Sequence, residues 1–155
     1  MPKILTDWDS SLNEQLKLPF DKTDPKIRML IDYGGLQVWL VEGKSVREQH
    51  EIDFTEGGNP SKYKFIPFNE IWLDDWLAAP DQAPELFPTL LHELIEYKLM
   101  GKDGMKYNDA HKEASTVELK ARVNPVNIKR EVDSAAKKAI AALNLNEPSS
   151  KKRRK

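Results

Sequence analysis

Apolar and polar positions follow one rhythm up to about residue 75 and another beyond it. In the first part, residues 26–33 and 36–42 are β-rich runs separated by Gly34 and Gly35, the spacing and chemistry of a tight hairpin. Residues 46–55 set Val46, Glu48, His50, Ile52 and Phe54 on one side of an extended run, which stops at Glu56-Gly57-Gly58-Asn59-Pro60. These runs predict an antiparallel β-meander, with His50 half-buried in its third strand. Two shorter extended pieces, residues 63–66 and 70–74 (EIWLD), are divided by Pro67. Proline cannot donate to a strand ladder, so one of the two is expected at a sheet edge.

After them the period becomes helical. Pro84 or Pro88 suits a first turn, residues 89–100 carry apolar positions at helical spacing, and Gly101 suits the end. Asn108 or Asp109 can cap a second helix running to about Arg122, and Asn124-Pro125 precedes a third. In that third helix Ile128, Val132, Ala135, Ala139 and Leu143 make one stripe. The expected class is α+β, an N-terminal antiparallel β-meander followed by three C-terminal helices.

A length of 155 residues suits one domain with a real core. The expected division is a loosely ordered segment 1–25, a domain 26–145 and a disordered basic tail 146–155. Lys151, Lys152, Arg153, Arg154 and Lys155 hold five of the 24 basic residues, leaving 19 against 25 acidic ones, a net −6 for the rest. An acidic body confines any nucleic-acid contact to that tail, where it would be weak. Cysteine is absent, which removes disulfides and thiolate metal sites; a metal would need imidazole and carboxylate ligands. No apolar run approaches the roughly 20 residues that span a bilayer, and the first residues lack a signal-peptide core, so a cytoplasmic protein without membrane contact is expected.

Candidate chemistry lies in LHELIEY, residues 91–97. With His92 at zero and about 100° per residue, Leu90, Leu91, Leu94, Ile95 and Leu99 fall between about 160° and 340°, Glu96 near 40° and Glu93 near 100°. His92 and Glu96 therefore stack at the rim of the buried stripe, where ligands at i and i+4 reach one ion. Glu93, one sector away, can face a water held by that ion. A lone pair of this kind is more often a solvated helix face. The second helix repeats it, however: with His111 at zero, Ala110, Ala114, Val117 and Ala121 form a narrow stripe between about 240° and 300°, and Glu118 borders it near 340°. If the two helices pair antiparallel across residues 102–106, His92, Glu96, His111 and Glu118 converge. Three protein ligands with an open position is the pattern of catalytic zinc. Glu118 can be a fourth ligand, or the carboxylate that fixes a ligating histidine's tautomer. Zinc suits the donors first, then manganese, iron or nickel.

The order of β-meander, EIWLD, the LHE helix and then Y-x-x-A-H-x-x-A-x-x-x-E resembles small zincin-type metallopeptidase-like proteins of prokaryotes and mobile elements, over about residues 63–122. The resemblance implies that His92 is a ligand and Glu93 the general base. It further implies that Glu70, Ile71, Trp72, Leu73 and Asp74 form a substrate-facing edge strand that pairs with an extended peptide. The family has histidine where this chain has Glu96; a carboxylate still binds zinc but weakens it as a Lewis acid. A zinc-dependent hydrolase of peptide or other amide bonds is the expected function; Tyr97 or Tyr107 could donate to the oxyanion, although aromatic residues near helix ends more often serve packing. The rival is a metal-stabilised adaptor with four protein ligands and no catalysis. Trp39, Trp72 and Trp76 are expected in the core or lining a groove.

Overall fold

The computed structural model describes residues 3–4 and 24–145. The remaining N-terminal residues and the basic tail, with the expectations attached to them, lie outside the described residues. Five strands form one mixed sheet in the order β1-β2-β3-β5-β4: β1 Lys3–Ile4, β2 Lys26–Asp32, β3 Gln37–Val41, β4 Gly57–Gly58 and β5 Glu70–Asp74. Helix α1 (Gly43–Gln49) lies between β3 and β4, and α2 (Ala83–Gly101), α3 (Tyr107–Val123) and α4 (Ile128–Leu143) close the chain. The class is α+β.

The hairpin of β2 and β3 forms as its glycines predict. Gly34 adopts φ 96, its N–H donates to Asp32 Oδ1 at 2.9 Å, and Tyr33 N–H donates to Leu36 O at 2.9 Å. The expected third meander strand does not form. Residues 43–49 are helical, with Val46 N–H on Glu42 O at 3.2 Å and His50 N–H on Val46 O at 2.9 Å. The alternation of this run placed charged Glu48 among its inward positions, and only Val46 and Phe54 of the set are buried, while Ile52 is 81% exposed. His50 is exposed at the helix end and stacks on Phe65 at 4.3 Å. Chain direction supplies the reason: β5 runs parallel to β3, and a parallel partner needs a crossover rather than a tight turn. Gly43 lets α1 begin against β5, since a Cβ there would sit 2.1 Å from Asp74 Oδ2. Arg47 then fastens the crossover, pairing with Asp74 Oδ2 at 2.8 Å and Phe54 O at 3.0 Å.

Residues 63–66 are turns rather than a strand, with Ile66 N–H on Tyr63 O at 3.1 Å. Glu70–Asp74 is a strand, but not the edge: it lies between β3 and β4, and all five residues are buried. Its carboxylates serve the fold. Glu70 accepts from Lys26 Nζ at 3.1 Å and from Trp72 Nε1 at 2.9 Å, and Asp74 holds Arg47. One sheet face packs Leu30, Val38, Leu40, Ile71 and Leu73 against Leu86, Leu90, Leu94 and Tyr97 of α2. Val41, Val46, Phe54, Tyr63, Ile66 and Trp72 form a second cluster. Trp39 is half-buried and Trp76 exposed, so of the three tryptophans only Trp72 is in the core.

Helix α2 starts with Pro84 in its first turn, and Pro88 lies inside it. Helix α3 takes Lys106 as N-cap without a side-chain cap bond, so neither Asn108 nor Asp109 caps it. The buried set of α4 is Val132, Ala136, Ala139, Ile140 and Leu143; Ala135 is only half-buried. No helix among the described residues is long and apolar enough to cross a membrane.

Candidate metal centre

Side-chain size and polarity together bring α2 and α3 into register. Ala110, Ala114 and Ala121 are 0%, 0% and 1% exposed, and these small side chains let the α3 backbone approach α2 closely. Leucines anchor α2 in the core, yet His92, Glu93 and Glu96 on the same helix are also buried, at 7%, 7% and 2% exposure. Buried ionisable groups are costly unless partnered, and here they partner one another across the helix pair.

His92 Nε2 lies 3.0 Å from Glu96 Oε2 and 3.2 Å from His111 Nδ1, and His111 Nδ1 is 3.0 Å from Glu96 Oε2. These three residues form a group that can hold a metal ion, and their donor atoms all lie within 4.8 Å of one another. Bonds of about 2.0–2.1 Å in a tetrahedral site set ligand atoms about 3.3 Å apart, close to the separations seen. His92 and Glu96 are buried; His111 is at the surface.

Glu118 stands outside this group. Its Oε1 lies 2.9 Å from Nδ1 of His92, the ring nitrogen turned away from the donor cluster. A carboxylate only accepts, so His92 donates Nδ1–H and its Nε2 lone pair faces Glu96 and His111. With Nδ1 of His111 unprotonated, three acceptors point at one another, an arrangement suited to a metal cation; with it protonated, the same ring donates to Glu96. Glu118 is held in turn by Arg122, whose Nε and Nη2 reach Oε2 at 2.9 and 2.7 Å, and Arg122 also pairs with Glu85. Of the two roles open to Glu118, the geometry gives it the tautomer-fixing one. For any divalent ion the group holds, Glu118→Gln should therefore weaken binding by about 10- to 100-fold without unfolding the protein, as read by competition with a chelator of known affinity.

Glu93 lies beside the group but does not join it. Asn59 Nδ2 donates to Glu93 Oε1 at 3.0 Å and to Glu96 Oε1 at 3.1 Å, while Asn59 Oδ1 accepts from Ser61 N–H at 2.9 Å and Lys62 N–H at 3.1 Å. The amide thereby uses both donors and both acceptors, and a flipped amide would set its oxygen against two carboxylates. Sequence reasoning missed Asn59, which reads as one residue of a loop break; no local pattern ties it to a helix more than 30 residues away.

Burial alone would lower the His92 pKa, but its hydrogen bonds to Glu118 and Glu96 and the charges of Glu93 and Glu96 outweigh that and push it up to about 10. Burial, with the Glu96 charge, holds Glu93 well above the usual carboxylate range. Burial also opposes ionisation of Glu96 and Glu118, yet His92 and His111 for the first, and His92 and Arg122 for the second, bring both below their ordinary value.

A pocket of about 430 Å³ opens onto this group, lined among others by Thr89, His92, Glu93, Glu96, Tyr107, His111 and Glu118. Tyr107 hydroxyl lies 3.3 Å from His111 Nδ1, whereas Tyr97 is 2% exposed and donates to Phe68 O in the core. Of the two tyrosines able to serve an oxyanion, only Tyr107 lines the pocket, and Tyr97 has the packing role. None of Glu70, Ile71, Trp72, Leu73 and Asp74 lines it, so the expected substrate strand is a structural element behind the site. No family model, curated protein or solved structure matches the chain.

Proposed function

We propose that the protein is a metal-dependent hydrolase of amide bonds, with zinc as the first choice of ion and a zincin-like site in which Glu96 replaces the second histidine. One observation carries this reading: three donor atoms form the group at an open pocket, and a second carboxylate, Glu93, is held beside them without being one of them. His92, Glu96 and His111 would hold the ion. When bound, it supplies the positive charge that acidifies a water and polarises an amide carbonyl. Beside the ion's positive charge, which opposes the effect of burial, Glu93 would be ionised, take the proton of the attacking water and pass it to the departing amine. Asn59 keeps the Glu93 carboxylate at a fixed distance from Glu96. Tyr107, whose pKa is raised first by burial and then by the charges of Glu96, Glu93 and Asp53, stays neutral at pH 7 and donates to the substrate oxygen. Glu118 stabilises the imidazole of His92 from behind.

The adaptor reading requires a fourth protein ligand. Glu118 is engaged at the opposite ring nitrogen of His92 and Glu93 is held by Asn59, so neither joins the donor group, which favours the hydrolase. The test is to expose a mixed peptide library to metal-free and zinc-loaded protein and follow products by mass spectrometry. Cleavage that appears only with zinc supports the proposal; one bound zinc per chain with no cleavage of any peptide supports the adaptor.

Proton competition gives a further expected result. In the metal-free protein His92 holds its proton up to about pH 10, and zinc must displace it. Apparent zinc affinity should therefore rise about tenfold per pH unit between pH 6 and 9. Metal-free stability moves the other way. The pKa of His92 is raised from 6.5, so its contribution is complete below pH 6.5 and is lost as pH rises through about 10. Thermal unfolding with and without zinc at pH 6.5 and 9 should show the stabilisation by zinc widening with pH.

A further inference from the structure

Carboxylates crowd the pocket and restrict where an anionic ligand can settle. Asp53, Glu56, Glu93, Glu96 and Glu118 line it, and among its lining residues Lys62 is the sole lysine or arginine. Glu118 is balanced by Arg122 and Glu96 by two imidazoles, so attraction for an anion is confined to the donor group, once it holds a cation, and to Lys62.

Lys62 is also tied to the reacting groups. Asn59, 0% exposed, accepts from the Lys62 backbone N–H with the same amide that donates to Glu93 and Glu96, so carboxylates and lysine belong to one fixed turn. The Lys62 ammonium lies 4.2 Å from the centre of the Tyr107 ring, and the hydroxyl of that ring is 3.3 Å from His111 Nδ1. Lysine and donor group are thus one aromatic ring apart. The ion pair of Lys62 with Asp53 is long, at 3.8 Å, and Asp53 is 58% exposed. Such a pair is weak and readily exchanged for a ligand carboxylate.

We propose that Lys62 holds a free carboxylate of the substrate, so that the site takes amides with a carboxylate one residue from the bond cleaved: the C-terminal residue of a peptide, or an N-acylated amino acid. The inference rests on the donor group binding a cation. Hydrolysis would add hydroxyl to the acyl carbon and hydrogen to the nitrogen as the C–N bond breaks, releasing an acid and a free amino acid. The sheet geometry agrees, because the strand beside the pocket is the two-residue β4, which offers little backbone for an extended internal segment.

The test uses the full chain loaded with cobalt(II), whose visible spectrum reports ligands at the ion. Succinate can place one carboxylate on the cation and the other on Lys62; butyrate has only the first. Succinate is expected to bind about tenfold tighter than butyrate, the scale of a hydrogen bond between charged groups. Lys62→Met should erase that advantage and leave butyrate unchanged, Lys62→Arg should restore most of it, and Asp53→Asn should enlarge it. Equal affinities in the unaltered protein, or an advantage that survives Lys62→Met, would overturn the proposal. Cobalt stoichiometry, measured first, separates the two levels: absence of bound cobalt sinks the metal reading and this inference together, whereas bound cobalt without succinate preference sinks the inference alone.

Discussion

Glu93→Gln is expected to lower amide hydrolysis by about 10²- to 10⁴-fold while leaving one zinc per chain, the span that a general base contributes. Glutamine has nearly the shape of glutamate but accepts no proton at neutral pH. It can present its oxygen to Asn59 Nδ2, the contact that Glu93 Oε1 makes now at 3.0 Å, so the turn at residues 59–62 keeps its anchor. Replacing a buried carboxylate that already resists ionisation beside Glu96 removes a like-charge contact, and the fold should not suffer. Zinc stoichiometry by elemental analysis and initial rates on a peptide cleaved by the unaltered protein are the two readouts. Undiminished rates would remove Glu93 from the mechanism, and loss of zinc would make it a ligand.

The other large effect is on the metal itself. His92→Ala should reduce bound zinc from about one per chain to near none, because it deletes the donor at which α2 and α3 meet. The change also strands partners: Glu96 and Glu118 lose the imidazole they share, one of them at 2% exposure. Breaking a buried charged pair from one side costs about 3–5 kcal/mol, so this variant can lose metal simply by unfolding. His111→Ala separates the causes. That side chain is 47% exposed and its loss should cost far less stability, yet it removes a ligand as surely. Zinc should raise the melting temperature of the unaltered protein, by about 2.7 kcal/mol of stability at a hundredfold excess over Kd, and leave that of either folded variant unchanged. Retention of one zinc in His111→Ala would refute the three-residue group.

Much of this centre is written in local spacing. Residues 89–100, the stripe of Ala110, Ala114 and Ala121, and the positions of His92, Glu96, His111 and Glu118 follow from 3.6 residues per turn, because a helix closes its own hydrogen bonds and fixes which side chains share a face. The hairpin at Gly34 is equally local, since its turn demands positive φ and its chemistry is adjacent in sequence. For the same reason the three C-terminal helices and the α+β class were legible without coordinates.

Only the tertiary structure decided what depends on distant partners. Short runs carry little intrinsic preference, so residues 46–55 became helix and turn when β5 paired parallel to β3, and residues 70–74 became an interior strand when Gly57–Gly58 covered their other side. Asn59 acquired its place because the sheet carries it against α2, and Glu118 its role because α3 lies at the depth where its oxygen meets Nδ1 rather than Nε2 of His92. Helical periodicity sets the direction of a side chain; the atom it finally meets is fixed by how closely another element approaches.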